Sequence, residues 1–180
     1  EFESTLRVGN PGGEMEVSGK QKQKRIRYSR EGRCQTTVTP MHGAVITQTV
    51  TDTDHETVNL AWKVRAEETL KEGVYFCMDF SSAQYPDAVF KISGRNVTIK
   101  SSERSISLRF GRPVKAFIRE ENGDKVLYVT LMQSLKEGGE SELSAVMKVD
   151  GVRHHETAEI WIDPSAPGRE FVGFGGNFRI

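Results

Sequence analysis

The feature that most constrains this chain is a period of two in its apolar residues. In residues 57–66, Val58, Leu60, Trp62 and Val64 alternate with Thr57, Asn59, Lys63 and Arg65. Successive side chains of a strand point to opposite faces, so the pattern predicts a strand with one side on a core. Residues 73–80 repeat it with Val74, Phe76, Met78 and Phe80 on one face. There Tyr75 and Cys77 make the second face apolar as well, which predicts a central strand. The same alternation marks 105–110, 114–119 (Val114, Ala116, Ile118), 125–131 and 143–149 (Leu143, Ala145, Met147, Val149). It also marks 156–162, where Ala158, Ile160 and Ile162 oppose Glu159 and Trp161. Residues 15–18, 25–30, 44–51, 88–92 and 97–100 read as further strands.

Turn chemistry separates these segments. Glu121-Asn122-Gly123-Asp124 is a hairpin turn, because Asn-Gly accepts the positive φ that tight hairpins require. Ser93-Gly94-Arg95-Asn96 serves the same purpose, and Gly111-Arg112-Pro113, Lys136-Glu137-Gly138-Gly139 and Asp150-Gly151 end strands. The best helical candidate, 65–71, is short and reads as a connector. The expected fold is all-β, a two-sheet antiparallel β-sandwich of about ten to twelve strands.

Residues 164–168, Pro-Ser-Ala-Pro-Gly, form the strongest boundary signal and read as a linker. The expected organisation is a sandwich domain over 1–163, the linker, and the start of a following barrel domain over 169–180. The chain opens on Glu1 without Met, as expected after removal of a leader. With 180 residues it is long enough to bury a core without staples. Its formal net charge is zero, so no global field draws it to nucleic acid or acidic membranes. Its apolar runs are too short to span a bilayer. Cys34 and Cys77 lack metal-ligand spacing, and both pairing and free thiols are open to them.

Residues 18–33 carry Lys20, Lys22, Lys24, Arg25, Arg27, Arg30 and Arg33. A phosphate-tracking ribbon would use such charges, but Tyr28 alone offers a stacking platform there. The preferred reading is the wet face of a protected edge strand, with an anionic polysaccharide as a third option. His154 and His155 are neighbours on a strand and face opposite ways, and His42 and His55 are isolated, so no metal site is expected. Acids such as Glu67, Glu68, Asp79, Glu120, Glu121, Glu140, Glu142, Glu156 and Glu159 are scattered. A glycosidase needs two facing carboxylates about 5–10 Å apart, and the sequence alone picks no pair. There is no nucleophile elbow, P-loop or zinc-protease motif. Asn96-Val97-Thr98 matches a glycosylation sequon at a turn. Trp161, Tyr75, Tyr85 and Tyr128 are candidate stacking platforms for sugar rings. Trp62 lies in phase with Val58, Leu60 and Val64 and belongs to the core. For Trp161, core packing or an interdomain contact is preferred over a sugar platform.

The string Gly173-Phe174-Gly175-Gly176-Asn177-Phe178-Arg179 resembles the opening of the first barrel strand in clan-A glycoside hydrolases. In glucosylceramidase-like members, and in related polysaccharide-degrading enzymes of gut Bacteroidetes, such a segment follows a β-sandwich. Residues 72–80 with 88–94 are similar to the accessory sandwich before such barrels. The acid/base and nucleophile carboxylates of these barrels sit at the ends of the fourth and seventh strands, beyond Ile180, so no catalytic residue is carried over. Asn177 and Arg179 match the polar positions of the motif and, with Trp161, are the candidate substrate-binding residues.

The resemblance implies a non-catalytic β-sandwich domain of a polysaccharide-degrading glycoside hydrolase, supporting the catalytic barrel and the glycan cleft. The expected partners are a glycan or polysaccharide, the barrel itself, and a second copy of the chain through the C-terminal segment. That apolar segment should fold back onto the sandwich or pair with a sheet edge. The expected location is secreted, periplasmic or cell-surface. No cofactor, metal, nucleic acid or membrane span is expected. The alternatives are a stand-alone carbohydrate-binding or adhesion-type sandwich without an enzyme domain, and nucleic-acid binding through residues 18–33.

Overall fold

A computed structural model of the chain describes residues 3–18 and 27–151, with the backbone alone at 27 and 28. Thirteen strands and no helix occur among the described residues: β1 Glu3–Gly9, β2 Met15–Val17, β3 Arg27–Glu31, β4 Cys34–Met41, β5 Ala44–Asp52, β6 Thr57–Ala66, β7 Gly73–Phe80, β8 Val89–Ser93, β9 Asn96–Lys100, β10 Arg104–Phe110, β11 Ala116–Glu121, β12 Asp124–Met132 and β13 Glu140–Gly151. They form two antiparallel sheets. One has five strands in the order β11-β12-β7-β1-β2, the other eight in the order β3-β4-β5-β6-β13-β10-β9-β8. This is the all-β sandwich expected from the alternation, with the described strands one more than the upper expectation.

The strands at 57–66 and 73–80 begin and end where the alternation does. β7 is central in its sheet, as its two apolar faces predict. The inward face of β6, Leu60, Trp62, Val64 and Ala66, packs into one core with Leu6, Val8, Val74, Phe76, Met78 and Phe80 of the facing sheet. Trp62, 2% exposed, meets Phe76 with ring centroids 4.7 Å apart and so joins the layers at their centre. The indole Nε1 of Trp62 is buried without a hydrogen-bond partner.

The turns follow the expected chemistry. Asn122 and Gly123 have φ of 54° and 87°, the two positive values of a type I′ turn, and Glu121 pairs with Asp124 across it. In the β8–β9 turn Gly94 alone is positive, at 58°. Residues 67–72 form a connector with a bridge between Leu70 and Leu135 and no helix.

Two expectations need correction. β1 and β4 are strands that the alternation did not mark. Ile118 does not join the core as Val114 and Ala116 do. It is 37% exposed because β11 is the outermost strand of its sheet. Of the two states open to the cysteines, the structure has free thiols, with Cys34 and Cys77 on different sheets. The expectations for 156–162, the linker and the C-terminal segment fall outside the described residues.

Candidate functional site

The outward face of the eight-stranded sheet carries a groove. Register sets its floor. Thr49 pairs with Ala61, and Ala61 with Ser144, whose carbonyl accepts the Gly111 amide at 2.9 Å. This rung of short side chains lies between taller ones. On one side Thr47, Lys63 and Glu142 form the next outward rung, and on the other Thr51, Asn59, Val146 and Arg109 do. Two adjoining depressions result, of about 480 and 530 Å³, which share Thr49, Ala61, Gly111 and Ser144. The residues are hydroxyls, an amide and charges because this is the polar phase of each alternating strand.

The two ends differ electrostatically. At one end Lys63 Nζ lies 2.8 Å from Glu140 and 3.5 Å from Glu142. The hydrogen bond to Glu140, outweighing slight desolvation, holds the ammonium above its ordinary pKa, with Glu142 adding to it. With the Arg112 guanidinium, which lines the same depression, two cations there face two carboxylates and the formal charges cancel. At the other end stand Arg95 and Arg109, both exposed. Val146 lies beside them, 44% exposed, and gives the groove an apolar spot.

A second constellation occupies the outward face of the five-stranded sheet. Phe117, Tyr128, Cys77 and Thr5 form one rung across β11, β12, β7 and β1. The Phe117 and Tyr128 rings stack at 5.0 Å, and Tyr75 meets both edge-on. Under this apolar layer Arg7 is 6% exposed. Its Nη1 donates to Glu121 Oε2 at 2.7 Å and to Tyr128 Oη at 2.6 Å, its Nη2 to Asp79 Oδ1 at 2.6 Å, and its Nε to Thr5 Oγ1 at 3.3 Å. Tyr128 in turn donates to Glu121 Oε1.

This constellation gathers two of the scattered acids, Asp79 and Glu121, around one guanidinium. It is unsuited to general acid catalysis, which needs a carboxyl raised toward neutrality. Burial pushes the Glu121 pKa up, but hydrogen bonds from Tyr128 and Arg7 and the Arg7 and Arg119 charges outweigh it and hold the carboxyl below its ordinary value. Burial, joined by the hydrogen bond to Glu121, raises the Tyr128 phenol. Burial raises the Cys77 thiol, which makes it a poor nucleophile. The cluster serves as a structural lock. The sequence signal for Arg7 is a charged residue set between Leu6 and Val8, which the alternation of apolar residues does not mark.

Trp161, Asn177 and Arg179, the expected substrate-binding residues, lie outside the described residues, as do His154, His155, Lys20, Lys22, Lys24 and Arg25. Tyr75, Tyr85 and Tyr128 are described, and each is less than a tenth exposed. None can serve as an open sugar platform in this conformation, because each ring is packed against other rings. The backbone of Arg27–Glu31 is the edge strand of its sheet, with Arg30 exposed. Asn96 of the sequon is exposed at its turn. Among the described residues no group of three or more His, Cys, Asp or Glu could hold a metal, and no helix is long and apolar enough to cross a membrane.

No family model matches the chain, and no curated protein matches it in sequence. Among solved structures it is similar to a protein described as a kojibiose phosphorylase from human microbiome, at 12% identity and a TM-score of 0.50, over 83% of this chain and 22% of that one. A polysaccharide lyase matches at 12% identity and a TM-score of 0.30, over 83% of this chain and 26% of that one. The chain therefore spans about a quarter or less of the length of these two proteins. Both are carbohydrate-active enzymes, and the first likeness shows a shared fold.

Proposed function

We propose that the chain is a non-catalytic β-sandwich domain of a polysaccharide-degrading enzyme of the glycoside hydrolase type. It supports the catalytic barrel and presents the groove of its larger sheet to the glycan. The observation that carries this reading is the proportion of the fold likeness. Most of this chain matches about a fifth of a phosphorylase, as a domain accompanying a larger catalytic body would. The groove supports it too, since hydroxyls, an amide and an exposed Val146 suit the polar rim and apolar face of a pyranose. The clan-A barrel, export from the cytoplasm and an origin in Bacteroidetes belong to the same proposal and rest on residues 173–179.

A panel of plant and host glycans tests it. The chain should bind at least one polysaccharide and turn over none. Robust hydrolysis or phosphorolysis by the purified chain would overturn the reading. A second reading, a stand-alone carbohydrate-binding sandwich, is favoured by one observation: all the described residues of the groove lie on the sandwich itself. The parent reading frame separates the two. Several hundred further residues with alternating strands and helices support the first.

A further inference from the structure

We infer that the Arg95–Arg109 end of the groove binds the carboxylate or sulfate of an acidic saccharide. This deepens the glycan-binding reading above and rests on it.

Both arginines line the same depression. Arg109 on β10 is the register partner of Asn96 on β9, and Arg95 immediately precedes Asn96. The β8–β9 turn is pinned there, since the Phe110 amide donates to the Arg95 carbonyl at 2.8 Å. The two side chains therefore start from a fixed, adjacent backbone. Among the described residues neither guanidinium makes an ion pair or a side-chain hydrogen bond. By contrast Arg7, Lys63 and Arg65 each have a carboxylate within 4 Å.

Among the described residues the surroundings do not supply the missing anion. Lys100 on β9 and Lys91 on β8 share the outward phase with Asn96 and Thr98 and add positive charge. Glu142 is held by Lys63 at the far end. Asp150 is outward on β13, but it pairs with Ser105, two rungs from Arg109, with Lys148 between. Like charges close together repel, and an anion bridging them relieves that repulsion. Guanidinium groups suit the planar oxygens of a carboxylate or sulfate, which accept paired hydrogen bonds.

A saccharide fits better than a free ion, because the depression continues past the arginines. Val146 offers an apolar contact, and Asn59, Thr51, Thr49 and Ser144 offer donors and acceptors on strands about 4.8 Å apart. That spacing is close to the repeat of an extended glycan. A nucleic acid fits worse. Phe110, the one ring among the described residues bordering this depression, is 1% exposed, so no base can stack on it.

The test is binding of the intact chain to oligogalacturonate, its methyl ester, a sulfated oligosaccharide with its desulfated counterpart, and neutral glucan oligosaccharides. At least one acidic form should bind about tenfold or more tighter than its uncharged counterpart, a gap of about 1.4 kcal/mol. In an Arg95→Ala/Arg109→Ala variant that preference should vanish, with weak binding of the uncharged form retained and the circular dichroism spectrum unchanged. Equal binding of charged and uncharged forms would overturn the inference while leaving the glycan reading intact. Binding to none of the saccharides would overturn both. Equal binding to polyglutamate or single-stranded DNA would also overturn it, since charge alone would then suffice.

Discussion

Arg7 and Glu121 lie 114 positions apart in the chain and meet at 2.7 Å, nitrogen to oxygen, on the outward face of the smaller sheet. The contact ties the first described strand to the hairpin end of β11, with β7 and β12 between them. Removing Arg7 leaves Asp79 and Glu121 without their shared cation, and opens a gap under the Phe117–Tyr128 stack. Breaking a buried ion pair costs about 3–5 kcal/mol, and both carboxylates reach water, so Arg7→Met should cost about 2–4 kcal/mol. Urea denaturation measures it. A loss below about 0.5 kcal/mol, the size of an ordinary surface change, would show that the cluster is not a lock.

The same cluster sets the pH range of stability. The Glu121 carboxyl is depressed from its ordinary 4.5, because the Tyr128 and Arg7 hydrogen bonds and nearby arginine charges outweigh burial. A depressed carboxyl contributes stability that is complete above its unfolded pKa and lost as pH falls through the folded one. Tyr128 and Cys77 are raised by burial from 10.0 and 9.0. Their contributions are complete below those values and lost as pH rises through the folded pKa values. Stability should be flat between about pH 4.5 and 9 and fall on both sides. Denaturation midpoints across pH should show Glu121→Gln flattening the acid limb and Cys77→Ala flattening the alkaline one. Unaltered limbs in these variants would refute the assignment.

The two cysteines should react at different rates. Cys77 is buried under the aromatic layer with a raised thiol, whereas Cys34 is partly exposed on the outward face of β4, beside Thr51. Alkylation follows thiolate fraction and access. Iodoacetamide should add one label to the folded chain, at Cys34, and a second only in denaturant. Mass spectrometry reads both, and prompt double labelling of the folded chain would contradict the burial of Cys77.

The hairpin turn offers a change that acts through the backbone alone. A Cβ on Gly123 would meet nothing within 4 Å, so any cost of Gly123→Ala comes from its φ of 87°. For an L-residue in that region the cost is about 1–2 kcal/mol. Asn122→Gly, at φ 54°, should be close to neutral by comparison. Thermal denaturation of both variants tests the pair, and an equal effect would show that turn geometry does not set the difference.

The legible parts of the fold are those where one physical effect dominates. β6 and β7 were readable because a buried face opposite a wet or a second apolar face leaves an unbroken alternation. β1 was hidden because its outward residues, Thr5 and Arg7, are polar yet buried by the second cluster. β4 was hidden for a related reason. Its inward phase includes Gln35, Thr37 and Thr39, and Pro40 reads as a breaker although it lies beyond Val38, the last described partner of β3. The site was harder still. A groove is made by what faces outward on four strands at once, so Thr49, Ala61, Ser144 and Arg109 become neighbours only when register is known. Tyr75, Tyr85 and Tyr128 were plausible platforms because composition does not distinguish a ring laid over a sheet from a ring packed into it.

Ala61 lies where the two depressions join, exposed between Thr49 and Ser144. Ala61→Trp would place an indole across the floor of the groove without entering the core, since the inward neighbours are Leu60 and Trp62. Aromatic residues are well accommodated on strands, and an exposed substitution of this kind should change stability by no more than about 0.5 kcal/mol. Filling the groove should nevertheless weaken binding of any glycan bound there at least tenfold, about 1.4 kcal/mol. Titration of the wild type and variant with the same oligosaccharide, alongside a melting curve for each, separates occlusion from unfolding. A variant that melts like the wild type and binds equally well would remove the groove from the binding surface.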